Sequence, residues 1–297
     1  MVCKNNSMAS RRNFIKTSGI LTAGLLVETD LFSLAKSKKI GLQMYTMRKY
    51  ITTVNAASVL QKIAAIGYRE LEIFGYSSKD KFWGLEAKEF KALLKANGLK
   101  APAAHIAFEN FLTGKDEDEL RLTCDTAKTV GNKYVVVAWL DEKYRKSIDD
   151  YKLIAEKLNK AGRIAKTYGL QLAYHNHDFE FSGLPGDTTG YDIILQNTDP
   201  LLLKMELDLY WAVKAGKDPI ELFKANPGRF PLWHIKDMDK TTASFTEVGA
   251  GSINFASIFE HKKLAGLQHF FIEQDEVKKE LFESIGESFK YVDKNLL

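Results

Sequence analysis

The chain has 297 residues, 45% of them hydrophobic and 27% charged, and a formal net charge of +4. Those proportions are ordinary for a globular protein, and the length suffices for one large α/β domain or two small ones. No stretch approaches the roughly 18 apolar residues of a membrane helix, so an integral membrane segment is not expected. The two cysteines, Cys3 and Cys124, form neither a disulfide framework nor a metal-ligand spacing.

The first 35 residues do not read as part of a fold. Ser10-Arg11-Arg12-Asn13-Phe14-Ile15-Lys16 resembles the twin-arginine export motif. A mildly apolar stretch, Thr17 to Val27, and a small-residue site, Ser33-Leu34-Ala35, follow it. The expectation is an export leader over 1–35, giving a periplasmic or exported protein, with a basic tail on a cytoplasmic protein as the alternative. The leader holds four of the 42 basic and two of the 38 acidic residues, which leaves residues 36–297 at +2. So neutral a domain argues against a nucleic-acid surface built on bulk charge.

From there apolar runs alternate with amphipathic ones. A strand is expected at Lys39–Thr46, then a helix at Ala56–Ile66 closed by Gly67. Strand Glu70–Phe74, helix Glu86–Ala96, strand Ala101–Phe108 and helix Glu117–Val130 come next. Strand Tyr134–Trp139 is rich in Val, as a parallel strand covered on both sides should be. Helix Ile148–Tyr168 stops at Gly169, and the fifth strand begins at Leu170. A short helix at Asp192–Gln196 precedes strand Leu201–Leu209, and helix Pro219–Ala225 precedes strand Phe230–Lys236. Helix Asn254–Glu260, strand His269–Gln274 and a closing helix Lys278–Asn295 complete the series. Eight strand–helix units without a linker predict a single-domain (β/α)8 TIM barrel over 36–297, with a doubly wound sheet as the alternative.

Active groups of such a barrel gather at the carboxyl ends of its strands. On the fifth strand His175 and His177 share a face, with Ala173 below them. On the sixth, Lys204, Glu206 and Asp208 share the face opposite Met205, Leu207 and Leu209. His234 and Lys236 point inward from the seventh strand, and Glu273 and Asp275 share a face of the eighth. His175, Asp208, His234 and Glu273 thus form a two-imidazole, two-carboxylate set for one divalent metal. Its donors suit Mn, Co, Zn or Fe better than Ca or Mg. The alternative is that each is a hydrogen-bonded strand end.

Further candidates each carry a structural alternative. His105 and Glu72 could bind substrate, or be a structural histidine and a buried paired carboxylate. His177 could relay protons; Lys236 could neutralise an enolate oxygen or pair with Glu206. Trp211, Trp139 and Phe108 could give sugar rings an apolar wall, or be core. The Val248-Gly249-Ala250-Gly251 loop could offer N–H groups to a ligand. Neither a Rossmann nor a P-loop pattern is present, so no nucleotide cofactor is expected.

These residues carry a resemblance. Ile40-Gly41-Leu42-Gln43-Met44-Tyr45-Thr46 with Arg48, Glu70-Leu71-Glu72, His175-Asn176-His177 and Leu207-Asp208 with Trp211 resemble the sugar phosphate isomerase/epimerase family. So do His234-Ile235-Lys236-Asp237, Val248-Gly249-Ala250-Gly251 and Ile272-Glu273-Gln274-Asp275. These are the xylose-isomerase-like barrels that include tagatose epimerase and inosose dehydratase. The resemblance implies one divalent metal held from strands five to eight, again by His175, Asp208, His234 and Glu273. It also implies an enediolate intermediate on a sugar or keto-sugar.

The family's strand-five ligand is often Glu, in a Glu-Asn-His pattern, where this chain has His175. Epimerases of the family use two glutamates on opposite faces of the enediolate, and here only Glu273 remains. The reading is a metal-dependent isomerase or epimerase with catalytic Glu273, His177 and Lys236 and substrate-binding His105, Glu72 and Trp211. A lyase or hydratase acting on 3-keto-glycosides or inosose-like substrates is the alternative that the lone glutamate favours. A nuclease like endonuclease IV and a non-catalytic sugar-binding protein are the more distant ones. The expected partner is a small sugar, without nucleic acid; a homo-oligomer stays open.

Overall fold

The computed structural model describes residues 39–74, 76 and 81–297. The leader expected over 1–35 lies outside these residues. Eight parallel strands close into a barrel: β1 (Gly41–Gln43), β2 (Glu70–Ile73), β3 (Lys100–Ile106), β4 (Tyr134–Val137), β5 (Gln171–His175), β6 (Leu203–Asp208), β7 (Leu232–Ile235) and β8 (His269–Ile272). Each strand pairs with its chain neighbours, and β1 pairs with both β2 and β8. That last pairing leaves no open edge and rules out a doubly wound sheet.

The helices form where the sequence stops and starts them. Helix Ile148–Thr167 opens on a capping box between Ser147 and Asp150. It buries Tyr151, Ile154, Ala155, Leu158 and Ala161, the three-to-four spacing of one helical face. Asp116 caps helix Glu117–Val130 by accepting from the Glu119 N–H, and Gly131 ends it at φ 108°. Side-chain caps on Thr189, Asp218 and Asn254 start three later helices, Gly190–Asn197, Pro219–Ala225 and Phe255–Glu260. None of the helices among the described residues is long and apolar enough to cross a membrane.

Inside the barrel, Ala103, Val136, Ala173, Leu232 and Phe271 are fully buried and plug the lower half. Gly41 is part of that fit, because a Cβ there would overlap the Phe271 ring and the Phe270 carbonyl. His269 closes the bottom, its Nδ1 lying 2.6 Å from Glu70 Oε2.

Several strands are shorter than their apolar runs, because polar side chains turn the chain at the mouth. Gln43 accepts from the Tyr45 N–H, so β1 gives way to a 3-10 turn at Met44–Met47. Asp208 ends β6 and caps a helix, Leu209–Lys214, that the apolar pattern had merged into the strand. Two small hairpins, Gly183–Leu184 with Thr188–Thr189 and Asp237–Met238 with Phe245–Thr246, lie outside the barrel sheet.

Candidate active site

Above the apolar plug the inward positions become titratable, in two tiers that meet at His234. In the lower tier Gln43 donates to Glu72 Oε2 at 2.6 Å. His234 Nε2 lies 2.6 Å from Glu72 Oε2 and 3.2 Å from Glu206 Oε2. His105 Nε2 sits 2.8 Å and His175 Nδ1 3.2 Å from the same Glu206 oxygen. In the upper tier His234 Nδ1 lies 2.9 Å from Glu273 Oε2 and 3.8 Å from Asp208 Oδ2. The Lys236 ammonium joins that tier, 2.7 Å from Glu273 Oε2, 3.0 Å from Asp208 Oδ2 and 3.1 Å from Asp275 Oδ2. Lys236 therefore pairs with these three carboxylates, while Glu206, the partner weighed for it in the sequence, is taken by imidazoles.

Low dielectric makes these neighbours decide one another's charge. Burial alone would lower His234, but Glu206, Glu273 and Glu72 hold it well above its ordinary value. Burial opposes the charge on Lys236 too, and Asp208, Glu273 and Asp275 together raise it well above its usual range. Burial would raise Glu273, yet Lys236 and His234 keep it ionised, well below the carboxylate range. His175 goes the other way, pushed down to about 3 by burial and by the neighbouring His234 charge. His177 is also driven low, by burial and then by His175. Two imidazoles from strand five are thus neutral beside a charged one from strand seven.

A cavity of about 600 Å³ opens above this floor. His105, His175, His177, Trp211, Lys236 and Glu273 line it. Asp208, His234 and Glu72 lie beneath, fully buried. Its rim is aromatic: Trp139 is 51% exposed and meets the His177 ring edge-on at 4.9 Å. His177 stacks on Phe179 with 6° between the planes, and the Arg145 guanidinium lies 3.5 Å from the Phe179 ring centre. Phe245 faces Trp211 edge-on from the opposite hairpin, at 5.8 Å.

Two open alternatives are decided. Phe108 is buried against Phe111 and does not line the cavity, because the chain leaves β3 at Ile106 and turns into helix Glu109–Leu112. The glycine loop offers its N–H groups to no ligand, since Gly249 and Gly251 donate to Asp237 Oδ2 at 2.9 and 3.0 Å. Ile253 donates to the other oxygen at 3.2 Å, and a Cβ at Gly251 would strike the Asp237 carboxylate. The conjunction of His-Ile-Lys-Asp with Val-Gly-Ala-Gly is a loop anchor. Sequence reasoning also passed over Glu206 and Gln43 as site residues. Glu206 shares its face with Asp208, which was the available signal.

The donors of the upper tier are of the kind that could hold a divalent cation. Asp208 accepts from the Trp211 N–H through Oδ1 at 2.9 Å, and its buried Oδ2 is left with the Lys236 ammonium at 3.0 Å and no hydrogen bond. Donor atoms of Asp208, His234 and Glu273 lie within 4.8 Å of one another. His175, expected as their fourth companion, falls into a second such group with His105, Glu206 and His234.

Comparison with known proteins agrees with this architecture. The model of a family described as "Xylose isomerase-like TIM barrel" matches residues 60–291. An inosose dehydratase of Lacticaseibacillus casei is 26% identical over 278 residues, covering 81% of this chain and 89% of the relative. One of Clostridium botulinum is 27% identical, covering 68% and 75%. The solved structure of a sugar phosphate isomerase/epimerase from Parabacteroides distasonis superposes with a TM-score of 0.79 at 29% identity, covering 89% of this chain and 97% of that one. The IOLI protein with a binding zinc atom shares the fold at a TM-score of 0.69 and 19% identity, over 86% and 97%.

Proposed function

Because the chain belongs to the xylose isomerase-like TIM barrel family, we propose that it is a divalent-metal-dependent carbon–oxygen lyase acting on a keto-sugar or inosose-like substrate. The observation that carries this reading is the asymmetry of the site. One side presents an ionised Glu273 paired with Lys236, and the other presents the neutral imidazoles of His175 and His177. Two carboxylates facing each other across a substrate would suit proton removal and return at one carbon. A single carboxylate suits removal of a proton followed by loss of a neighbouring hydroxyl. The inosose dehydratases among the relatives support the same choice.

In this mechanism the keto-sugar lies in the cavity between Trp211 and the Trp139–Phe179 rim. A divalent ion held by Asp208, His234 and Glu273 would polarise the carbonyl when bound. Every ion pair of Glu273 among the described residues uses Oε2, which leaves Oε1 to take the proton alpha to the carbonyl. Lys236 balances the charge that develops on the enolate oxygen. The C–O bond of the beta hydroxyl then breaks, and the oxygen leaves as water with a proton from the Lys236–Asp275 pair. His177 orients the hydroxyls that face it, and Glu72 holds His105 and His234 in place from below.

The test is incubation of the metal-loaded enzyme with keto-sugars and inososes in deuterated water. Loss of water from the substrate is expected. Deuterium exchange at one carbon with the full skeleton retained would point to isomerisation or epimerisation instead. We propose separately that residues 1–35 direct export; an Arg11→Lys, Arg12→Lys variant that still reaches the periplasm would reject that.

A further inference from the structure

Apart from His234, the lower tier holds donors that the proposed reaction leaves without a task. Glu206 Oε2 stands 2.8 Å from His105 Nε2, 3.2 Å from His175 Nδ1 and 3.2 Å from His234 Nε2. Donor atoms of all four residues lie within 4.8 Å of one another. A tetrahedral ion bound at about 2.0–2.1 Å has donor atoms roughly 3.3 Å apart, so these separations are those of a ligand shell. Three imidazoles and one carboxylate are donors for zinc or cobalt rather than magnesium or calcium.

A proton network is the alternative, with protons on His105 and His234 shared with Glu72 and Glu206. It accounts for those two imidazoles and leaves other atoms unexplained. His175 Nδ1, Glu206 Oε1 and Glu72 Oε1 are buried and make no hydrogen bond. His175 is close to Glu206 yet out of line with it, as two ligands of one ion are and a donor with its acceptor is not. Unpartnered polar atoms in a closed barrel interior are the mark of a missing group.

We propose that the barrel holds a second divalent cation, of the zinc class, below the first. Its ligands are His105, His175, Glu206 and His234. His234 then bridges the two sites as an imidazolate, its ring protons released to solvent when the ions bind, with Nε2 downward and Nδ1 to the Asp208–Glu273 tier. The inference does not require the lyase reading, because its ligands His105 and Glu206 are not those of the reactive ion.

The experiment is titration of the metal-free full chain with Co²⁺, counting ions per chain by elemental analysis and recording the visible spectrum. Two ions per chain are expected, one with the strong absorption of a tetrahedral, nitrogen-rich site. His105→Ala should drop the count to one and remove that absorption. Asp208→Asn should drop the count to one and retain it. Glu206→Gln, nearly isosteric, repeats the His105 test should the alanine variant fail to fold. A single ion that His105→Ala and Glu206→Gln both keep would overturn the lower site while leaving the proposed function intact. A single ion lost in those variants but kept in Asp208→Asn would sustain the lower site and sink the upper one.

Discussion

The lower and upper halves of the barrel are built from the same strands and obey opposite rules. Ala103, Ala173, Leu232 and Phe271 stand one pleat below His105, His175, His234 and Glu273, on the same inward face. Below that line the interior is apolar and closed. Above it nearly every inward group is ionisable, and buried oxygens and nitrogens of Glu72, His175, Glu206 and Asp208 lack hydrogen bonds. Burying such groups destabilises a fold unless they are paired or ligated. The difference teaches that the plug carries stability while the tiers above it hold function at stability's expense.

The sharpest test of that division is Glu273→Gln. Removing the candidate base while keeping its shape should lower turnover by about 10²–10⁴-fold, the range for a positioned acid or base. Thermal stability should fall only in part, because Asp208 and Asp275 still face Lys236 and Glu72 and Glu206 still face His234. Steady-state kinetics beside a melting curve measures both, and full turnover would remove Glu273 from the chemistry. Phe271→Ala probes the other half. Emptying that part of the plug should cost about 3–5 kcal/mol in urea unfolding, with turnover of the folded fraction much less affected. A loss of turnover as steep as the loss of stability would mean that the halves are not separable.

How much of this was legible in the sequence follows from the same division. Alternation of apolar and amphipathic runs, with Gly67, Gly131 and Gly169 as stops, carried the barrel and the order of its strands. Parity along single strands placed His175, His177, Lys236 and Glu273 on one inward side, because side-chain direction is a local property. Which inward groups touch is not local. Register sets Asp208 beside His234 and His175 beside Glu206, one pleat lower, and no single strand encodes that pairing. That is why the four-residue metal set of the sequence divides into two groups in the structure. Phe108 and the glycine loop stayed open for a related reason. The turn after Ile106 and the Asp237 carboxylate that takes the loop N–H groups belong to tertiary packing.

Glu180 tests the boundary between the halves with a smaller effect. It is fully buried, accepts from the Tyr174 hydroxyl at 2.6 Å and from the His177 N–H at 2.8 Å, and so fastens the His177 turn to β5. Burial pushes its carboxyl up to about 7. The folded state therefore holds a proton that the unfolded chain, with a carboxyl near 4.3, has already released. This contribution is present in full below the unfolded value and is lost as pH rises towards 7, at a slope of no more than about 1.4 kcal/mol per pH unit. Glu180→Gln should remove that slope, so the gap between the two proteins should change between pH 4.5 and 7 and stay constant above. Parallel pH profiles of unfolding would reject the assignment.

The smallest expected effect lies at the rim, where Trp139 touches neither tier. Half of its surface faces solvent, and its ring meets His177 and Phe179 edge-on, with the Arg145 guanidinium 5.8 Å from its centre. Trp139→Ala should leave stability almost unchanged, since little apolar area is withdrawn from water there. A sugar ring resting on that face would lose an aromatic contact worth about 0.5–1.5 kcal/mol, which raises KM by roughly two- to tenfold with kcat unchanged. A fall in kcat at constant KM would instead place Trp139 in the orientation of His177, and would carry the reactive tier up to the rim.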